Sequence, residues 1–169
     1  MAPIKVSFFV WEASRGKILT CDNLQKKGFT LVNSCFICKE DSESTSHLLL
    51  HCKVARVLWD LTISWVGVSW VGVSWVASDS IKNHFLASEG FFGGKVKKKK
   101  EEVAWVLPHV IFWSIWRERN RRVFEDVETP IWHLKDFFIK TLFYWEKGKF
   151  SSSSLELVGL LDSLYMGCI

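Results

Sequence analysis

Apolar side chains fall on nearly every face of a helix drawn through residues 4–15, IKVSFFVWEASR, and this pattern predicts a buried helix at the front of the chain. In TCDNLQKKGF, Thr20 or Asp22 can accept the orphan N–H bonds that open a short helix, and Gly28 can close it in the left-handed conformation. FTLVNSCFICKE alternates, as a short extended arm running into a cysteine-containing knuckle does. From Ser44 to Trp65 a helical period returns, with Leu48, Ala55, Val57, Leu58, Trp59 and Leu61 on its apolar side and Thr45 or Ser46 as its start.

Beyond this point the period fails. Residues 61–77, LTISWVGVSWVGVSWVA, carry no charge and repeat SWVGV in tandem. The run sits at the lower limit of what spans a bilayer, and its regularly spaced Trp65, Trp70 and Trp75 suit a duplication better than a span. A membrane anchor is therefore not expected. Gly90, Gly93 and Gly94 with Lys97–Lys100 mark a solvated connection. Residues 101–126 then have an acidic start and a basic end, which suits a helix dipole, with Pro108 as an expected kink. Thr129 and Pro130 open a further helix over TPIWHLKDFFIKTLFYWEKGK. Ser151–Ser154 reads as a linker and residues 155–169 as a short final helix.

Composition narrows the class. Aromatic residues make up 15% of the chain, including ten Trp and thirteen Phe, which excludes a disordered polar chain. The net charge of +4 permits a nucleic-acid partner without requiring one. Five cysteines is an odd number, and MAPIKVSFFVWEASRGK lacks the pattern of a secretory leader. A reducing compartment, nuclear or cytoplasmic, follows as the expectation, and there clustered cysteines bind metal more often than they pair.

The cluster is SCFICKEDSESTSHLLLHCK, residues 34–53. Cys35 and Cys38 have the two-residue spacing that lets two thiolates reach one tetrahedral ion, and His47, His51 and Cys52 follow. Five candidates thus compete for the four positions of a closed Zn2+ site. On a regular helix His47 and His51 lie about 40° apart, whereas His47 and Cys52 lie about 140° apart. Helix geometry favours the histidine pair. A Cys52 ligand requires the chain to tighten, turn or unwind between Leu48 and Cys52, and both sets stay open. A catalytic metal is not expected, because Glu40, Asp41 and Glu43 read as a solvated loop rather than as a general base beside an open position.

Several spaced motifs in residues 4–66 together resemble the reverse-transcriptase zinc-binding domain of plant non-LTR (LINE-type) retrotransposon polyproteins. Lys5, Val6, Phe8, Phe9 and Trp11 match its opening helix, and Leu19, Thr20, Leu24 and Gly28 its next segment. Cys35, Cys38, His47, Leu48, Cys52, Ala55 and Trp59 match its metal motif. The resemblance implies Cys35, Cys38, His47 and Cys52 as ligands, with His51 a neighbour. WSIWRERNRRVFED, residues 113–126, is similar to the segment that trails this domain. Lys53 departs from the family's usual proline, and the SWVGV expansion and KVKKKKEE depart as insertions.

The expected division is 1–66 as this zinc-binding domain, 67–102 as repeat and lysine-rich linker, and 103–169 as a helical extension. The expected fold is mainly α, with a small zinc knuckle and short extended arm packed on helices. No aspartate pair of a polymerase palm and no carboxylate cluster of a ribonuclease H is present, so the chain reads as a non-enzymatic fragment of a retroelement protein. RNA or DNA is the expected partner. Lys97, Lys98, Lys99, Lys100, Arg117, Arg119, Arg121 and Arg122 are the candidate phosphate contacts, although the arginines equally suit a helix C-terminus. The rival readings are a protein–protein scaffold and a degenerate fragment without activity. Cys21 and Cys168 read as ordinary thiols, and His84, His109 and His133 as helix-surface residues.

Overall fold

The computed structural model describes residues 2–66, 80–83 and 98–147, with the backbone alone described at 63–66, 98–105 and 146–147. The repeat residues 67–79, Lys97, the serine linker and the final segment lie outside the described residues. The described chain is mainly helical and contains no strand. Its helices are α1 (Ile4–Ser14), α2 (Cys21–Lys26), α3 (Lys53–Val66), α4 (Lys98–Phe124) and α5 (Ile131–Lys147), with a π-helical turn at His47–His51 ahead of α3. No described helix is long and apolar enough to cross a membrane.

The front helices end where glycine permits it. After α1, Gly16 takes φ +64°, and the N–H groups of Gly16 and Lys17 return to the carbonyls of Ala13 and Glu12. After α2, Gly28 takes φ +89°, and Gly28 and Phe29 return to Gln25 and Leu24 in the same way. Both are left-handed closures in which a side chain at the glycine would be strained. Gly28 behaves as the sequence predicts.

Helix α4 is the spine, packed against α1, α3, the π turn and α5. Val110, Ile111, Phe112 and Ile115 on α4 are fully buried. They meet Phe9 and Val10 from α1, Leu58 and Trp59 from α3, and Leu134, Phe138 and Leu142 from α5 in one continuous core. The Trp59 and Phe112 rings meet edge to face at 5.9 Å, and the Trp59 indole N–H donates to Leu49 O at 3.0 Å. Removing a side chain as central as Phe112 would cost about 3–5 kcal/mol.

Several local expectations meet a different structure. Only Val6, Phe9, Val10 and Ala13 of α1 are buried, while Ile4, Phe8 and Trp11 are exposed, because a helix on the edge of the core has a partner on one side alone. Lys98–Lys100 begin α4 rather than continuing a linker, and the helix runs through Pro108 without interruption. The single helix expected from Ser44 to Trp65 is two elements, broken at Cys52. Its start is one residue earlier than expected: Ser44 Oγ accepts from His47 N at 3.1 Å, and Ser44 O from Leu48 N at 2.9 Å.

Candidate metal centre

The knuckle is built by its own backbone. Cys35 N donates to Asp41 O and Lys39 N to Cys35 O, both at 2.8 Å, so residues 35–41 fold back on themselves. Lys39 completes the turn at φ +61°, in the left-handed region that a residue with a Cβ enters only at a cost. The turn brings the side chains of Cys35 and Cys38 together.

The other two donors come from the π turn. In HLLLH the bond from Cys52 N closes on His47 O, an i→i+5 bond of 2.6 Å. The wider ring brings position 52 back over position 47, which a regular helix does not. At Cys52 the backbone leaves the helical region (φ −55°, ψ 135°), and α3 starts at the next residue. The chain therefore unwinds and restarts at the one place where a cysteine ligand requires it. Leu48, Leu49 and Leu50 are all buried, and this anchors the wide turn from several sides at once.

As a result the donor atoms of Cys35, Cys38, His47 and Cys52 all lie within 4.8 Å of one another, with three of the four residues buried and His47 partly so. His47 Nε2 is 3.3 Å from Cys38 Sγ, and His47 Nδ1 faces the Asp41 carboxylate at 3.8 Å. His51 is not in the group. Three sulfurs and one imidazole nitrogen form a donor set that suits Zn2+, whose bonds of about 2.3 Å to sulfur and about 2.0–2.1 Å to nitrogen separate neighbouring ligands by roughly 3.5–3.8 Å. The group fits such an ion. A carboxylate behind the free ring nitrogen is the usual means of fixing a ligating histidine.

Protonation is shared among these groups. The Cys35 thiol is pushed up to about 12 by its hydrogen bond to Cys52 and by burial. Cys52 is lowered by that same bond and, against its burial, by the backbone N–H groups of Val54 and Ala55 at the start of α3. His47 is lifted to about 9 by Cys35, against the opposing effect of burial and with help from Cys38. All four described cysteines are free, so no disulfide competes for the thiols.

A second constellation clamps the knuckle from outside. Glu43, expected in a solvated loop, is fully buried, because it meets Arg119 of α4, itself 3% exposed. Arg119 Nη2 donates to Glu43 Oε1 at 2.8 Å, and its guanidinium lies 5.3 Å from the Phe36 ring centre. Glu43 also opens α2: its Oε1 accepts from Cys21 N at 3.1 Å and its main-chain O from Asp22 N at 3.2 Å. The Thr20 hydroxyl instead bonds the Asp22 carboxylate at 2.5 Å. Beside this pair, Arg122 donates to Ile37 O at 2.8 Å and Phe36 O at 3.3 Å, the two carbonyls between Cys35 and Cys38. Its Nε reaches Glu118 Oε1 at 2.7 Å.

Arg119 and Arg122 are thus corrected from phosphate candidates to internal clamps, drawn inward by Glu43, Glu118 and the knuckle carbonyls. Arg121 is half-exposed and engaged with Glu125 and Thr129 Oγ1. Arg117 is exposed, with its guanidinium 4.6 Å from the Phe137 ring centre. Lys98, Lys99 and Lys100 lie on the first turn of α4, and Lys97 lies outside the described residues. Cys21 is buried and pushed up to about 11 by that burial and by Glu43, which makes it an inert thiol. His133 is exposed beside Trp132; His84 and Cys168 lie outside the described residues.

Residues 1–59 match the protein family described as zinc-binding in reverse transcriptase. The match spans α1, α2, the knuckle, the π turn and the first half of α3, and it includes all four grouped donors. No curated protein and no solved structure is significantly similar to the chain.

Proposed function

We propose that the protein is a non-catalytic structural-zinc module derived from the reverse transcriptase of a plant non-LTR retrotransposon, and that it binds RNA or DNA. The observation that carries the zinc reading is the gathering of four soft donors by two local backbone devices, the 35–41 turn and the 47–52 π closure, within the stretch that matches the family. Cys35, Cys38, His47 and Cys52 would hold the ion, and bound zinc would cross-link the knuckle to the head of α3. Four protein ligands leave no open position for substrate or water. The buried carboxylates near the knuckle are both engaged, Glu43 by Arg119 and backbone N–H groups and Glu118 by Arg122, so neither is a free base.

The nucleic-acid reading rests on the excess of 22 lysines and arginines over 18 acidic residues. A second reading, a protein–protein scaffold, is favoured by the exposed apolar side chains Phe8, Leu19 and Phe124. Filter binding of single-stranded RNA at two salt concentrations separates the two. Affinity that falls as salt rises supports the nucleic-acid module, and absence of binding at both supports the scaffold.

A further inference from the structure

Between α1 and α4 lies an open groove of about 650 Å³, outside the metal centre and its clamps. Its floor is aromatic and rigid. The buried Phe9 ring stacks on Trp116 at 5.5 Å and meets Trp113 edge-on at 5.8 Å, so both indoles are held in place from beneath. Its rim is aromatic and open: Phe8 is 62% exposed and Phe124 77%. Of the apolar side chains that the core leaves uncovered on α1 and α4, Phe8 and Phe124 are the ones that line the groove.

The charge around this floor is positive. Lys5, Lys17, Arg117 and Arg121 line the groove against two carboxylates, Glu12 and Glu125. Arg121 engages Glu125. Lys5, Lys17 and Arg117 are exposed and form no ion pair with a described carboxylate, and Lys5 Nζ stands 5.7 Å over the Trp113 ring. Arginines two and five positions along α4 from Arg117 turn inward to Glu43 and Glu118. The helix therefore sorts its cations, fixing some as internal clamps and leaving Arg117 on the groove.

We propose that this groove is the single-strand binding surface, with bases stacking on Phe8, Phe124 and the Trp113 indole and phosphates meeting Lys5, Lys17 and Arg117. The inference rests on the nucleic-acid reading above and supplies its location. Ring faces beside cations that form no ion pair among the described residues are what a sequence-tolerant single-strand site requires, because every base has a face to stack and every nucleotide a phosphate to neutralise. An amphipathic peptide would also cover the rings. Its carboxylates alone would answer the cations, however, and the wall is mainly aromatic rather than aliphatic.

The test is fluorescence anisotropy of labelled, mixed-sequence single-stranded RNA and DNA with the full chain purified in zinc. Phe8→Ala with Phe124→Ala should weaken binding roughly tenfold or more. Lys17→Gln with Arg117→Gln should flatten the dependence of log affinity on log salt by about 0.7 for each lost contact. All four side chains are exposed, and far-UV circular dichroism confirms that each variant is folded. If the groove variants bind as tightly as the parent while Lys98→Gln/Lys99→Gln/Lys100→Gln does not, the groove is wrong and the nucleic-acid reading survives. If the parent chain binds neither polymer, both fall. Binding of an acidic peptide in place of either polymer would overturn the assigned occupant.

Discussion

The metal knuckle and the inward face of α4 hold the same piece of chain by opposite means. The knuckle gathers four donors from residues 35–52 through bonds within its own backbone, and an ion held among them would cross-link them. The α4 face brings Arg119 and Arg122 from far along the chain to bind Glu43 and the carbonyls of Phe36 and Ile37 directly. One is a local loop whose four donors are placed where a metal could close it; the other is a buried ion pair between residues 76 positions apart. The Cys/His motif is therefore not a self-sufficient unit here. Its CxxC loop is gripped from behind by a helix beyond the stretch that matches the family.

The largest expected effect comes from emptying the first region. Structural zinc supplies apparent binding free energy on the order of 10–16 kcal/mol, so chelation should lower the melting temperature sharply and reduce the far-UV helical signal. Unchanged melting after complete zinc removal would show that the knuckle stands without an ion.

The second region is next. Glu43→Ala leaves the Arg119 charge buried and unpaired, and the expected loss is about 3–5 kcal/mol in chemical denaturation. Replacing both partners, Glu43→Leu with Arg119→Met, should recover much of it, because a buried pair is hard to halve and easier to replace whole. A double variant no better than Glu43→Ala would show that the main role of Glu43 is to bond Cys21 N and Phe36 N.

Arg122→Met tests where the regions touch. It removes the donors to Phe36 O and Ile37 O and frees Glu118, and it should cost about 1.5–3 kcal/mol. Zinc affinity, measured by competition with a chromogenic chelator, should fall with it. Stability lost with affinity intact would mean that the clamp holds the helix and not the loop.

The pH dependence separates the metal-free from the metal-bound protein. In the metal-free site His47 is raised from 6.5 to about 9, so its contribution to stability is fully present below pH 6.5 and lost as pH rises through about 9. Zinc binding displaces protons from the same ligands and therefore strengthens over that range. The melting-temperature gap between zinc-loaded and metal-free protein should widen from pH 6.5 to pH 9. The smallest effect is at Lys39, whose φ of +61° suits glycine: Lys39→Gly should stabilise the knuckle by about 1 kcal/mol or less, read as a small rise in melting temperature.

The two regions also differ in how far the sequence reveals them. Cys35, Cys38 and His47 are legible at metal-ligand spacings, but helix geometry alone favours His51 as the fourth donor, and only the family resemblance points to Cys52. The π closure is not legible, since HLLLH keeps a helical appearance. Its trace in the sequence is three consecutive leucines, all buried, which a one-faced surface helix does not provide. Glu43 carried no local signal at all, since nothing in KEDSES distinguishes the buried carboxylate from its exposed neighbours until α4 arrives. The arginines of α4 divide by helical position, Arg117 facing the groove and Arg119 and Arg122 the knuckle. Which side faces inward is set by a partner distant in sequence.

In the proposed zinc site the wide turn at 47–52 makes Cys52, and not His51, the fourth ligand. Elemental analysis of zinc per chain in the parent, Cys52→Ser and His51→Ala proteins decides between them. One equivalent is expected in the parent and in His51→Ala, and none held in Cys52→Ser. Zinc retained by Cys52→Ser but lost from His51→Ala would show regular helix geometry at the site and overturn the assignment of Cys52.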